Sequence, residues 1–122
     1  MGKKHSLIKS FSFAMEGIAN ALKRERNFKV QIGIGTIAMI LAIFLKMSAI
    51  EISIIILTSF VVLILELLNT SLEQIVNLVS PEVTPQAKIV KDAAAGVVLL
   101  ASFASVLIAL FLFVPKIIAF FK

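Results

Sequence analysis

The most constraining feature of the sequence is a run of 22 residues without a charged side chain, from Ala93 to Val114. A helix needs about 20 residues to cross the roughly 30 Å hydrocarbon core of a bilayer, so this run is long enough to span a membrane. Two more apolar segments precede it, at about residues 28–47 and 50–77. They pass the same test if their polar ends lie at the interface or face other helices. We therefore predict three transmembrane helices.

The overall composition supports a membrane protein. Apolar residues make up 60% of the 122-residue chain and the mean hydropathy is +1.07, against about 45–50% apolar residues in soluble proteins. The chain has no cysteine, which excludes disulfides and thiolate metal sites. Its net charge of +5 fits anionic lipid headgroups. Because the basic residues are not gathered on a soluble domain, we predict no nucleic-acid partner.

The first part of the chain has a different pattern from the apolar segments. Leu7, Phe11, Met15, Ile18 and Leu22 recur at helical spacing. A basic amphipathic segment ahead of a membrane span is typical of a helix lying in the membrane surface, so we predict one over about residues 6–26. The fold class predicted for the whole chain is a single-domain all-α membrane protein, with this surface helix and three transmembrane helices.

The distribution of lysine and arginine predicts the topology. With three spans, the N-terminus and the loop at about residues 78–92 lie on one side of the membrane. That side carries nine of the 12 basic residues: Lys3, Lys4, Lys9, Lys23, Arg24, Arg26, Lys29, Lys88 and Lys91. Because the basic side of a membrane protein faces the cytoplasm, we predict a multi-pass protein of the cytoplasmic membrane with a cytoplasmic N-terminus.

A polar stripe interrupts the second apolar segment. On a helical wheel, an arc of about 100° contains Glu66, Asn69, Thr70, Glu73 and Asn77. A charged side chain at the bilayer centre costs about 2.5–3.5 kcal/mol on insertion scales, so such residues are functional candidates. The two carboxylates lie about 10 Å apart along the helix axis. The deeper one, Glu66, suits taking a proton, and Glu73 could bind a cation.

Two charged clusters lie at the same membrane face. Glu25 stands among basic residues before the first span, and Lys91 and Asp92 are predicted to open the third transmembrane helix. The positive end of a helix dipole favours anions there. Carboxylates and a lysine near a helix start together favour a site for a hard cation and a phosphate.

Simpler explanations exist for most of these residues. Glu25 could pair with Arg24 or Lys29, and Lys91 and Asp92 could belong to an ordinary helix start. Asn69 and Thr70 could form hydrogen bonds between helices. In the first span, the pair of glycines Gly33 and Gly35 is interpreted as permitting close helix packing.

At these residues the chain resembles the prokaryotic integral-membrane diacylglycerol kinase family, and in particular its undecaprenol kinase branch. Three blocks carry the resemblance: Glu25-Arg-Asn-Phe28, Glu66-Leu-Leu-Asn-Thr-Ser-Leu-Glu73 and Ala87-Lys-Ile-Val-Lys-Asp-Ala-Ala-Ala-Gly96. The resemblance implies a homotrimeric bundle whose sites are shared between neighbouring subunits.

The resemblance also implies roles for individual residues. Glu66 would be the general base on the lipid hydroxyl, and Glu25 and Glu73 would hold Mg²⁺ on ATP. Asn69 would support the site. The remaining implied ATP-binding residues are Lys91 and Asp92, beside the phosphates, and Phe13, whose ring would lie against the nucleotide.

Two residues depart from the family pattern. Asn77 stands where the family usually has aspartate, and Gln31 stands where the undecaprenol branch often has histidine. The function expected from the resemblance is phosphorylation of undecaprenol to undecaprenyl phosphate by ATP and Mg²⁺. The alternatives are a diacylglycerol kinase that makes phosphatidic acid, a small proton-coupled membrane transporter, and a noncatalytic membrane scaffold.

Overall fold

The computed structural model describes residues 6–122, and within them the chain forms four helices and no strand. They are α1 (Leu7–Arg24), α2 (Arg26–Phe44), α3 (Ala49–Val79) and α4 (Pro85–Phe120). Helices α2, α3 and α4 are long and apolar enough to cross a membrane. The predicted all-α class with three such helices is therefore confirmed. Lys3 and Lys4, two of the basic residues behind the topology prediction, lie outside the described residues.

Helix α1 is the predicted amphipathic helix. It begins after Ser6, whose hydroxyl accepts a hydrogen bond from the backbone N–H of Lys9 at 3.2 Å. It ends with Lys23 and Arg24, whose charges suit the negative end of the helix dipole. Its apolar stripe is largely exposed, most of all at Leu7 and Phe11, so this face is suited to lie in lipid.

A tight turn joins α2 to α3. Lys46 has a positive φ of 55°. The backbone N–H groups of Lys46 and Met47 donate back to the carbonyls of Ile43 and Ala42, at 3.1 and 3.0 Å. This pattern is a Schellman cap, which satisfies the last carbonyls of α2. Helix α3 then begins after Ser48 with a reciprocal capping box.

Helix α4 begins earlier than the apolar run predicted. Pro85 occupies the first helical position, and the hydroxyl of Thr84 accepts a hydrogen bond from the N–H of Ala87 at 3.1 Å. The prediction followed hydropathy and so missed two polar turns. Lys91 and Asp92 therefore lie nearly two turns inside the helix. The prediction that they open it was wrong, and the helix dipole, which acts within the first turn, does not explain them.

A buried apolar cluster joins the three long helices at the end of the bundle away from the polar stripe. Helix α3 packs against both α2 and α4. The buried cluster Ala42, Met47, Ile55 and Phe113 closes the end at which α2 and α4 finish and α3 begins. At the same end, Lys116 of α4 forms an ion pair at 3.3 Å with Glu51, the glutamate of the α3 capping box. The polar stripe lies toward the opposite end of the bundle.

The two glycines of α2 differ in their surroundings. A Cβ placed on Gly35 would approach the Ser59 hydroxyl of α3 to 3.3 Å, whereas a Cβ on Gly33 would meet no atom within 4 Å. The packing interpretation is therefore confirmed for Gly35 and was wrong for Gly33.

Candidate active site

Glu66 is the one charged or polar residue that is fully buried among residues 6–122, with 2% of its surface exposed. Its Oε2 atom has no hydrogen-bond partner, and neither does the buried Oδ1 atom of Asn69 one turn away. Buried polar atoms are normally paired, because an unpaired one costs about 1–3 kcal/mol. Two such atoms side by side are suited to receive hydrogen bonds from a bound molecule.

A cavity of about 310 Å³ lies beside Glu66, between α2, α3 and α4. Its other polar residues are Asn27 and Gln31 on α2, Asn69 on α3 and Ser102 on α4. Sequence reasoning did not assign Asn27, Gln31 or Ser102 to the site. Asn27 and Gln31 carry a readable signal, because they are spaced by four residues and so lie on one face at the start of an otherwise apolar span.

The polar stripe on α3 is held together by bonds within that helix. Asn69 donates its side-chain N–H to the Glu73 carboxylate at 3.4 Å, and the Thr70 hydroxyl donates to the backbone carbonyl of Glu66 at 3.2 Å. The hydrogen bonds of Asn69 and Thr70 therefore do not join different helices. The Thr70 hydroxyl bonds to the backbone of its own helix. The Asn69 side chain lines the Glu66 cavity and bonds to Glu73.

Glu25 is the single residue between α1 and α2, and its backbone is extended, with φ −99° and ψ 111°. Its side chain does not cap α2 and forms no ion pair with another residue of the described chain. It lines a groove of about 620 Å³ between α1 and α3. Both Glu25 and Glu73 are close enough for their charges to act on Glu66. The fold thus places the three predicted carboxylates in the same region of the bundle.

The carboxylates suit a divalent cation whose remaining ligands are water and the phosphates of a bound substrate. Within the described residues, no group of three or more acidic or histidine side chains could hold a metal by itself. Mg²⁺ is usually bound by one or two carboxylates, with water and substrate phosphates completing its octahedral shell. The half-buried Glu25 and Glu73 match this pattern, because neither forms an ion pair within the described chain, and Glu25 lines the open groove between α1 and α3.

Lys91 and Asp92 lie elsewhere in the chain. They line a separate cavity of about 260 Å³ at the α3–α4 connection, together with Asn77. Asp92 pairs with Lys88 at 2.6 Å on the exposed face of α4, whereas Lys91 forms no ion pair within residues 6–122. A single chain therefore does not bring these two residues to the Glu66 cavity.

Phe13 is an exposed residue of α1. It lines neither the Glu66 cavity nor the groove between α1 and α3. Its expected contact with a nucleotide stays a prediction.

Comparison with known protein families identifies the family of this chain. The profile of the family described as Prokaryotic diacylglycerol kinase matches residues 12–113, which include the predicted site residues from Phe13 through Asp92 and the whole Glu66 cavity. The chain belongs to this family. Membership assigns it to the prokaryotic lipid kinases and confirms the resemblance found in the sequence.

Two relatives within the family carry different names. The chain is 40% identical to a diacylglycerol kinase of Synechocystis sp. over 115 residues, which cover 93% of this chain and 66% of that protein. It is 39% identical to an undecaprenol kinase of Bacillus subtilis over 108 residues, covering 88% of each chain. The chain thus spans about two thirds of the first relative and most of the second, and the two names leave the acceptor lipid open.

Proposed function

We propose that this chain phosphorylates a membrane lipid alcohol with ATP at the cytoplasmic face of the cell membrane, and that undecaprenol is its acceptor. The observation that carries the proposal is the buried, unpaired carboxylate oxygen of Glu66, which lies in a polar cavity on an apolar helix. A lipid hydroxyl must be activated at the membrane edge, and a buried acceptor oxygen there is suited to take its proton.

The proposed reaction is a single phosphoryl transfer. Glu66 accepts the hydroxyl proton as the lipid oxygen forms a bond to the γ-phosphorus of ATP. The bond from that phosphorus to the bridging oxygen breaks, and ADP leaves with the electron pair. Such a transfer depends mainly on positioning and charge stabilisation. Mg²⁺ held by Glu25 and Glu73 would neutralise phosphate charge when bound.

We further propose that the working unit is a homotrimer with sites shared between subunits. The separation of Lys91 and Asp92 from the Glu66 cavity within one chain supports this. Lys91 of a neighbouring copy would supply the positive charge that three carboxylates and a triphosphate require. The excess of basic residues around the N-terminus and the α3–α4 connection supports a cytoplasmic position for both.

The preference for undecaprenol over diacylglycerol as the acceptor rests on how much of each relative the chain covers. The match to the undecaprenol kinase extends over 88% of both chains, against 66% of the length of the diacylglycerol kinase. Diacylglycerol is therefore the second candidate acceptor. Comparing kcat/KM for the two lipids with one preparation decides between them. Family membership favours a kinase over the transporter and the scaffold.

The test of the reaction is the substitution Glu66→Gln, which keeps the shape of the side chain but removes the proton acceptor. We expect phosphate transfer from labelled ATP to fall at least about 100-fold, the usual range for a lost general base. Glu16→Gln on the exposed face of α1 is the matched control and should retain activity. Near-normal turnover in Glu66→Gln with an intact assembly would exclude Glu66 as the base.

A further inference from the structure

Gln31 stands where several cavities of the bundle meet. It lines the Glu66 cavity, and it also lines an inner cavity between α2, α3 and α4 and an outer groove between α2 and α3. The side chain is half-buried and forms no hydrogen bond with another residue of the described chain. Its amide can both donate and accept, so it is free to bond a hydroxyl group that enters the Glu66 cavity.

The outer groove leads from this point toward the middle of the membrane. Its volume is about 300 Å³ and its lining is mostly apolar, with Ile32, Gly35 and Met39 on α2 and Ile56, Phe60 and Leu63 on α3. Between Gln31 and Ile40, which also lines it, the groove follows α2 for roughly 13 Å at the rise of an α-helix. One end therefore meets the polar cavity, and the rest lies along apolar surface.

The inner cavity offers no comparable space. It also contains Gln31 and Gly35, but its volume is about 80 Å³, roughly a quarter of that of the outer groove. A hydrocarbon chain whose hydroxyl lies at Glu66 must leave the polar cavity through apolar surroundings. Of these two spaces that share Gln31 with the Glu66 cavity, the outer groove is the one large enough.

We propose that the groove between α2 and α3 binds the first part of a single hydrocarbon chain of the acceptor alcohol. Gln31 is then a positioning residue that donates its amide N–H to the acceptor oxygen, while Glu66 receives the proton. This inference rests on the proposed function, because it assumes that the acceptor hydroxyl reacts at Glu66. One groove of this kind suits an alcohol with one chain, such as a polyprenol, better than a lipid with two.

Gly35 is the specificity-determining residue of this groove. The absence of a side chain there lets α2 approach Ser59 of α3 closely, and both residues line the groove at this point. A leucine at Gly35 would occupy the space that the chain needs. A Cβ placed on Gly33 would meet no atom within 4 Å, and Gly33 lines none of the three cavities. Gly33→Leu is therefore a matched control on the same helix.

The first experiment measures binding without catalysis. The chain has no cysteine, so Ile40→Cys and Ile43→Cys can each carry one fluorophore. Both positions are 63% exposed, but Ile40 lines the groove and Ile43 does not. A nitroxide-labelled prenyl alcohol in lipid nanodiscs should quench the Ile40→Cys label saturably and the Ile43→Cys label only in proportion to its bulk concentration. Equal, non-saturating quenching at the two positions would overturn the proposal.

The second experiment measures turnover with acceptors of different length. Gly35→Leu should lower kcat/KM for a long polyprenol at least about tenfold, equivalent to ~1.4 kcal/mol, mainly through KM. The loss for a short prenyl alcohol, which reaches Glu66 without filling the groove, should be at least about fivefold smaller than the loss for the polyprenol. Gly33→Leu should change neither. Equal losses for both acceptors in an assembled Gly35→Leu protein would contradict a role in chain binding.

The two experiments separate the failure of this inference from the failure of the proposed function. Saturable quenching at Ile40→Cys without phosphorylation of any lipid alcohol would support the groove and reject the kinase reaction. Phosphorylation of polyprenol without saturable quenching would support the reaction and reject the groove. If Gly35→Leu does not assemble, the labelled proteins, which retain the glycine, still decide the question.

Discussion

Asn69 donates its side-chain N–H to the Glu73 carboxylate at 3.4 Å, while its own side-chain oxygen is buried without a partner in the cavity beside Glu66. One amide thus bonds to a proposed metal ligand at the edge of the cavity that holds the proposed base. Because Glu66 and Glu73 occupy different depths on α3, this connection fixes the metal ligand relative to the cavity in which the lipid hydroxyl is expected to react.

Removing this connection should impair the reaction. We expect Asn69→Ala to lower kcat/KM by roughly tenfold, because a long hydrogen bond to a charged group contributes about 1.5 kcal/mol, the lower end of the usual range. A Mg²⁺ titration should also show a higher metal requirement. The control is Ser53→Ala, which removes a hydroxyl bonded to the Ala49 carbonyl at the other end of α3. Equal kinetics in the two variants would argue against a role for Asn69.

The proposed metal ligands should act together. We expect Glu25→Gln and Glu73→Gln each to raise the Mg²⁺ concentration needed for half-maximal activity by about tenfold or more, and the double variant to fall short of the product of the two effects. The effects of substituting two residues that bind the same ion are not additive. Chelation of Mg²⁺ should abolish turnover reversibly. An unchanged Mg²⁺ titration in both single variants would remove them from the metal site.

Asn77, the last residue of the polar stripe, shares a cavity with Lys91. We expect Asn77→Asp to raise the KM for ATP up to roughly fivefold. A new carboxylate would attract Lys91 by about 0.2–1 kcal/mol and so weaken its interaction with phosphate. The effect should shrink at high salt. The neutral variant Asn77→Gln should leave the salt dependence unchanged. A lower KM in Asn77→Asp would contradict this account.

The turn between α2 and α3 offers a test of stability that is independent of function. Lys46 adopts a positive φ, a conformation that costs a residue with a Cβ about 1–2 kcal/mol. We expect Lys46→Gly to raise the free energy of unfolding by about 1 kcal/mol, after allowing for the greater entropy of glycine in the unfolded chain. Thermal unfolding in detergent measures it. Lys46→Ala, which removes the charge but keeps the Cβ, should bring no gain.

The sequence predicted the helices well where hydropathy and helix period agreed. The apolar runs located α2, α3 and the middle of α4, from residue 93 to residue 114, and the apolar stripe of α1 was recognised from its spacing. The start of α4 was missed because its first turns are polar. Thr84 and Pro85 carry the start signal there, and hydropathy does not register a capping residue followed by proline.

The candidate site was predictable only in part. A helical wheel places Glu66, Asn69 and Glu73 on one face of α3, because that relationship is local. Which residues of α2 and α4 face them depends on how three helices pack, so Gln31 and Ser102 joined the cavity only in the folded chain. Likewise, the extended backbone at Glu25, which ends α1 and begins α2, has no strong sequence signal, since glutamate is not a preferred capping residue.

By itself, the sequence determined that this protein is helical and suited to a membrane, and that two glutamates share a face of one span. Hydrophobicity and helix period are properties of short segments, so they can be read before folding. Only the tertiary structure decided that Glu66 is buried with an unpaired oxygen, that Glu25 lies near it, and that Lys91 lies apart from it within one chain. These relationships depend on contacts between helices, which the periodicity of a single helix does not encode.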